Sequence, residues 1–146
     1  MNFWYWTTHQ FSAEAGMAYR TWYLSLEQPF FAPPPATFGI AWGIIYPLMA
    51  IAFLWTLYLW RKGRLPQSFV VLFGINILLN LSFSPVLLAT QNNIYISATI
   101  VLVLSTLLWL QVWAWKRARG IFWLLLPYLL WGTFATILQL TLTVLN

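Results

Sequence analysis

The chain has no cysteine, one histidine and two carboxylates, and only 6% of its 146 residues are charged. The missing cysteine excludes disulfides, thiolate metal sites and cysteine nucleophiles. Glu14, Glu27 and His9 are the only carboxylates and imidazole; so few acid–base groups give ordinary hydrolytic chemistry little support. Polar residues are also too scarce for a water-soluble fold, since 62% of the chain is hydrophobic. The N-terminus lacks a basic segment followed by a continuous apolar one, so no cleaved signal peptide is expected.

What is present is four apolar stretches: Ala36–Trp60, Gln67–Ala89, Ile94–Trp115 and Gly120–Leu145, none containing a charged residue. A hydrocarbon core of ~30 Å is crossed by ~20 helical residues. Inside lipid the backbone must bond to itself, which at this length selects helices. The expected class is therefore an all-α polytopic membrane helix bundle, a single domain over residues 1–146.

The formal net charge of +5 does not point to nucleic acid. Arg61, Lys62 and Arg64 fall in one connection and Lys116, Arg117 and Arg119 in another. Two spans separate these connections, so both lie on one side of the membrane. The opposite side carries the uncharged Gln91–Asn93 turn. Basic loops face the cytoplasm by the positive-inside rule, giving an integral protein of the bacterial inner membrane as the expected location.

Residues Met1–Thr21 mix polar and aromatic side chains without a clean amphipathic stripe. They read as an N-terminal helix, interfacial or partly inserted, with a packed fifth span as the alternative; His9 fits a polar interfacial residue better than an iron ligand. A loop to Pro35 follows, closed by the stiff Pro33-Pro34-Pro35 run, which stops one element and launches the next. The short connections make sequential helices antiparallel neighbours. Pro47, Pro85 and Pro127 lie inside three spans and each removes a backbone donor, so kinks are expected.

Eleven residues are tryptophan. Trp60, Trp113, Trp115 and Trp123 lie near the basic connections and fit an interfacial aromatic belt. Trp42 and Trp131 lie deeper, ~9 Å and ~21 Å from the opposite ends of their helices at ~1.5 Å per residue. Asn80 is ~14 Å below the same surface by the same rise, and a primary amide in lipid is costly unless it faces the bundle interior. Tyr46 and Tyr128 join them. These groups suit either an aromatic-lined pocket for a flat, largely apolar ligand or polar bridging between helices.

Several runs together resemble the TspO family (tryptophan-rich sensory protein, translocator protein or peripheral benzodiazepine receptor). They are Trp22-Tyr23-Leu24-Ser25-Leu26-Glu27-Gln28-Pro29, Pro33-Pro34, Phe38-Gly39 with Trp42 and Tyr46, Leu79-Asn80-Leu81-Ser82-Phe83-Ser84-Pro85, and Pro127-Tyr128-Leu129-Leu130-Trp131 with Phe134-Ala135 and Leu145-Asn146. The resemblance implies a five-helix bundle, commonly dimeric, that binds porphyrins (protoporphyrin IX or haem) and in some members sterols. It implies a pocket covered by the loop between the first two helices, here Thr21–Pro35. The matching pocket positions are Tyr23, Pro33, Trp42, Asn80, Phe83, Trp131 and Ala135. No catalytic residue, metal ligand or required cofactor is assigned.

The chain departs from the family pattern at Gln28, Phe31, Phe83 and Gln139; two of these replace indoles, which weakens a Trp-dependent photochemistry. On this reading the protein senses or disposes of tetrapyrroles in a stress response. A transporter of porphyrin or sterol-like ligands, or a light- or oxygen-dependent porphyrin-degrading enzyme, is the alternative. Leu54, Tyr58 and Arg61 fit a loose sterol pattern. Gly39 and Gly43 offer a small-residue seam for a homodimer, a role in competition with relieving Pro47 and placing Trp42.

Overall fold

The computed structural model describes Met17 and residues 20–146. The expected N-terminal helix, with His9 and Glu14, lies outside the described residues apart from Met17 and residues 20–21, which are helical. A helical turn over 20–25 leads into an irregular strap. Four long helices follow: α1 (Pro35–Arg61), α2 (Gln67–Thr90), α3 (Asn93–Arg117) and α4 (Arg119–Leu145). All four are long and apolar enough to cross a membrane. The expected all-α membrane bundle is what the chain forms.

The helices run slightly past the uncharged stretches and shorten the connections, leaving Ala118 alone between α3 and α4. The reason is electrostatic: Arg61, Lys116 and Arg117 occupy last turns, where a cation complements the negative end of the helix dipole. A charge next to an apolar span thus ends the lipid-embedded part without ending the helix. At the start of α1, Pro35 occupies the first turn, where a missing N–H costs no bond. Its end is closed by Gly63 at φ 71°. There the Gly63 N–H donates to the Trp60 carbonyl and the Arg64 N–H to the Leu59 carbonyl, both at 2.9 Å, a left-handed stop that glycine adopts without strain. Asn92 caps α3 by accepting from the Ile94 N–H at 2.9 Å.

Helix α3 packs extensively against both α2 and α4, and α1 leans chiefly on α4. Short connections predict that each helix packs on the next, but α1 touches α2 only lightly. Their facing surfaces meet through long side chains, with Tyr46 bonded to Asn80 across the gap, so the backbones stay apart. Each helix continues through its proline. One apolar cluster, including Met49, Phe69, Phe73, Leu110 and Leu125, fills the bundle toward the basic connections. A second, with Trp22, Tyr23, Leu87, Ile96 and Leu142, closes the other end. The belt residues Trp60, Trp115 and Trp123 are exposed, and the Arg119 guanidinium lies 4.7 Å over the Trp115 ring. Trp113 is instead partly buried, edge-on to Phe69 at 5.5 Å. Leu54 and Tyr58 are exposed on α1.

Candidate ligand-binding cavity

Between the two clusters, where α1 stands off from α2, is a cavity of about 690 Å³, within the ~300–1,000 Å³ range of small-molecule sites. All four helices contribute to its wall, and among the described residues no charged side chain lines it. Trp42 and Tyr46, one turn apart on α1, stack with centroids 5.1 Å apart and 27° between planes. The Trp42 ring also meets Tyr128 of α4 edge-on at 6.1 Å. Stacked and edge-on pairs of this kind hold each other's orientation, so the aromatic wall is preformed.

A chain of neutral hydrogen bonds crosses the bundle behind these rings. The Tyr46 hydroxyl donates to Asn80 Oδ1 at 2.9 Å, and Asn80 Nδ2 donates to the Tyr128 hydroxyl at 3.0 Å. Tyr128 donates in turn to Asn76 Oδ1 at 3.0 Å. Asn76 Nδ2 reaches α3, donating to the Val103 carbonyl at 3.0 Å and to Thr106 Oγ1 at 2.8 Å. The buried amides of Asn76 and Asn80 and the buried Tyr128 hydroxyl thereby all find partners, as burial demands.

The strap closes the end away from the basic connections. Tyr23 is fully buried and donates its hydroxyl to the Pro33 carbonyl at 2.8 Å; burial pushes its phenol above the usual value of 10. Gln28 Nε2 donates to the Tyr23 carbonyl at 2.8 Å. These bonds staple the strap to itself. Its link to α4 is the Asn146 side chain, which accepts from the Glu27 N–H at 2.9 Å and donates to the Glu27 carbonyl at 3.1 Å. Phe31 adds an edge-on contact to Phe134 at 6.4 Å.

Six of the nine residues expected at the pocket line this cavity: Trp42, Tyr46, Asn80, Phe83, Tyr128 and Ala135. The other three stand behind the wall. Tyr23 and Trp131 both pack edge-on against Phe38, at 5.3 and 5.6 Å, and Phe38 is the residue that meets the cavity. Pro33 acts through Tyr23. The buried Nε1 of Trp131 has no partner among the described residues. Gly39 lines the cavity too, while a side chain at Gly43 would meet nothing nearby. Asn76 escaped sequence reading, although a second amide one turn before Asn80 in an uncharged span was a usable signal.

Comparison with known proteins places the chain in a family. The model of the TspO/MBR family matches residues 3–145. The chain is 34% identical over 129 residues to a tryptophan-rich protein TspO of Bacillus cereus, covering 87% of this chain and 82% of that protein. It is 32% identical to a protein of the same description from Archaeoglobus fulgidus, over 87% of this chain and 81% of the relative. An uncharacterized membrane protein, YtaB of Bacillus subtilis, is 33% identical over 86% of this chain and 80% of its own length.

Proposed function

Since the chain belongs to the TspO/MBR family, we propose that it is a membrane protein that binds a tetrapyrrole, a porphyrin or haem precursor, in the cavity between α1 and α2. It then serves as a sensor or disposal factor in a stress response. The observation that carries this reading is the preformed aromatic wall, in which Trp42 lies stacked on Tyr46 beside a 690 Å³ space. A flat ring gains most from such a wall, because stacking rewards planar surface and excludes water at once. With no charged residue among the described ones that line it, the propionates of a porphyrin belong at the edge of the cavity and not in its depth, since an ionised carboxylate in an apolar interior is costly.

The basic connections face the cytoplasm on this reading, which puts the cavity in the outer half of the bilayer. A homodimer, resting on the family resemblance, and a sterol on the exposed face bearing Leu54 and Tyr58, resting on the loose sterol pattern they form with Arg61, are further parts of the proposal.

The test is a titration of protoporphyrin IX into purified protein in detergent, followed by intrinsic tryptophan fluorescence. Stacking on an aromatic side chain is worth ~1–3 kcal/mol, so Trp42→Ala should weaken binding roughly tenfold to a hundredfold. Trp113→Ala, beside Phe69 and away from the cavity, serves as the control. Equal affinity in wild type and Trp42→Ala would sink the assignment.

A further inference from the structure

Helices α2 and α3 leave a groove of about 520 Å³ on the outside of the bundle, which shares no residue with the cavity. Gln67, Ser68, Val71 and Ile75 of α2 form one wall, and Trp109 and Trp113 of α3 the other. On each helix these spacings belong to a single face. The groove runs ~12 Å along α2 from Gln67 to Ile75 at ~1.5 Å per residue, and its character changes on the way. The end with Gln67 and Ser68 is polar and adjoins the basic connections, whereas Val71, Ile75 and Trp109 are apolar and exposed. Trp109 is 65% exposed and lies ~12 Å from the last residue of α3 by the same rise, deeper than the belt indoles. A polar head above an exposed apolar trench is the profile of a phospholipid.

Charge decides which phospholipid. Lys116 and Arg117 follow Trp113 by three and four residues, so the turn of α3 brings both round to the groove side, and both are exposed. The head of the groove is also the start of α2, where no side chain caps the first N–H groups and the helix dipole is positive. Glu27 is the only carboxylate side chain among the described residues, and Asn146 clasps its backbone at the other end of the bundle. The described residues therefore hold no carboxylate that could neutralise this end. A second copy cannot do so through the same face either, because a two-fold interface sets a patch against itself and these cations would meet.

We propose that the α2–α3 groove is a binding site for an anionic phospholipid of the leaflet on the side of the basic connections. Its acyl chain lies along Val71, Ile75 and Trp109, and its phosphate sits between the head of α2 and the Lys116–Arg117 pair. The inference is independent of what fills the cavity. Any lipid chain in the groove covers the same apolar surface, so the headgroup charge sets the choice. Phosphatidylglycerol, with one net negative charge, is held over phosphatidylcholine, whose choline cancels its phosphate.

The test uses purified protein in phosphatidylcholine bilayers with a minor fraction of phosphatidylglycerol or phosphatidylcholine carrying brominated acyl chains. Bromine quenches an indole only at contact, and the difference in emission between each protein and its Trp109→Phe counterpart isolates Trp109. One cation beside an anionic headgroup is worth up to about fivefold in affinity, so quenching of Trp109 should favour brominated phosphatidylglycerol by about fivefold to twentyfold. Replacing Lys116 and Arg117 together by Gln should bring that ratio to about one. Val71→Phe fills the trench with a ring and leaves every charge in place, so the ratio should fall there too; this variant keeps the test open if the double one does not fold. Lys62→Gln with Arg119→Gln removes equal charge from cations that lie over the Tyr58 and Trp115 rings, and the preference should survive it. Equal quenching by the two lipids in wild type overturns the inference. So does a preference that persists in Val71→Phe, which would be attraction to the surface without a seat in the groove. A dimer cross-linked through Ser68→Cys and showing no lipid preference would assign the groove to a second copy and overturn it as well.

Discussion

Replacing Asn146 by Ala should unlatch the strap. Asn146 and Glu27 are 119 positions apart, and the asparagine amide spans the gap with one accepted and one donated bond to the Glu27 backbone, at 2.9 and 3.1 Å. Both bonds are solvent-exposed, so water replaces the lost partners and no orphaned group adds to the cost. The loss is then the net worth of two ordinary bonds open to water, about 0.5–1 kcal/mol each, or ~1–2 kcal/mol together. At 1.4 kcal/mol per factor of ten, the open strap becomes about tenfold more populated. The stapling bonds Tyr23–Pro33 and Gln28–Tyr23 do not involve Asn146, so the strap should swing as a unit. Hydrogen exchange in detergent micelles reads this directly: the Glu27 amide should exchange about tenfold faster, while α3 amides such as that of Leu107 stay protected. Asn146→Asp keeps the acceptor and loses the donor, so it should fall between. Glu27 exchange unchanged in Asn146→Ala would refute the latch, and acceleration throughout α3 would show global destabilisation instead.

Three further outcomes can be stated. The buried indole N–H of Trp131, without a partner among the described residues, has a cost of ~1–3 kcal/mol that Trp131→Phe removes, offsetting the smaller ring; thermal unfolding in detergent should show a change within ~1 kcal/mol, against a loss of ~3–5 kcal/mol for Trp131→Ala. Near-equal losses would show that the N–H has a partner. A Cβ at Gly120 would crowd the Trp55 ring, with Cζ3 at 2.7 Å, whereas at Gly132 it meets only Leu107 Cδ2 at 3.8 Å; Gly120→Val should lose ~1–3 kcal/mol and Gly132→Ala should gain up to ~1 kcal/mol of helix propensity, and the opposite order of unfolding temperatures would contradict the packing. With no native cysteine, Gln91→Cys should label from outside intact cells and Lys62→Cys should not; the reverse pattern would move the cavity to the cytoplasmic half.

The spans and their lengths were legible in the sequence because lipid demands them: a run without charge must bond its own backbone, and a uniform rise per residue turns position into depth. Depth was enough to bring Trp42, Tyr46 and Asn80 to within ~6 Å of one level, whereas Tyr128, ~25 Å from the end of its helix by the same rise, joins them only in the fold. Direction around each helix was not legible, since helices apolar on every face carry no stripe to say which side turns inward. That is why Trp131, at pocket depth, stands behind Phe38 while Phe38 meets the cavity. It is also why Asn76 could not be joined to Tyr128, 52 residues away. The gap between α1 and α2, against the short connection that joins them, and the clasp between Asn146 and Glu27 are likewise tertiary: both depend on which side chains meet across the bundle, and no local period of the sequence encodes that meeting.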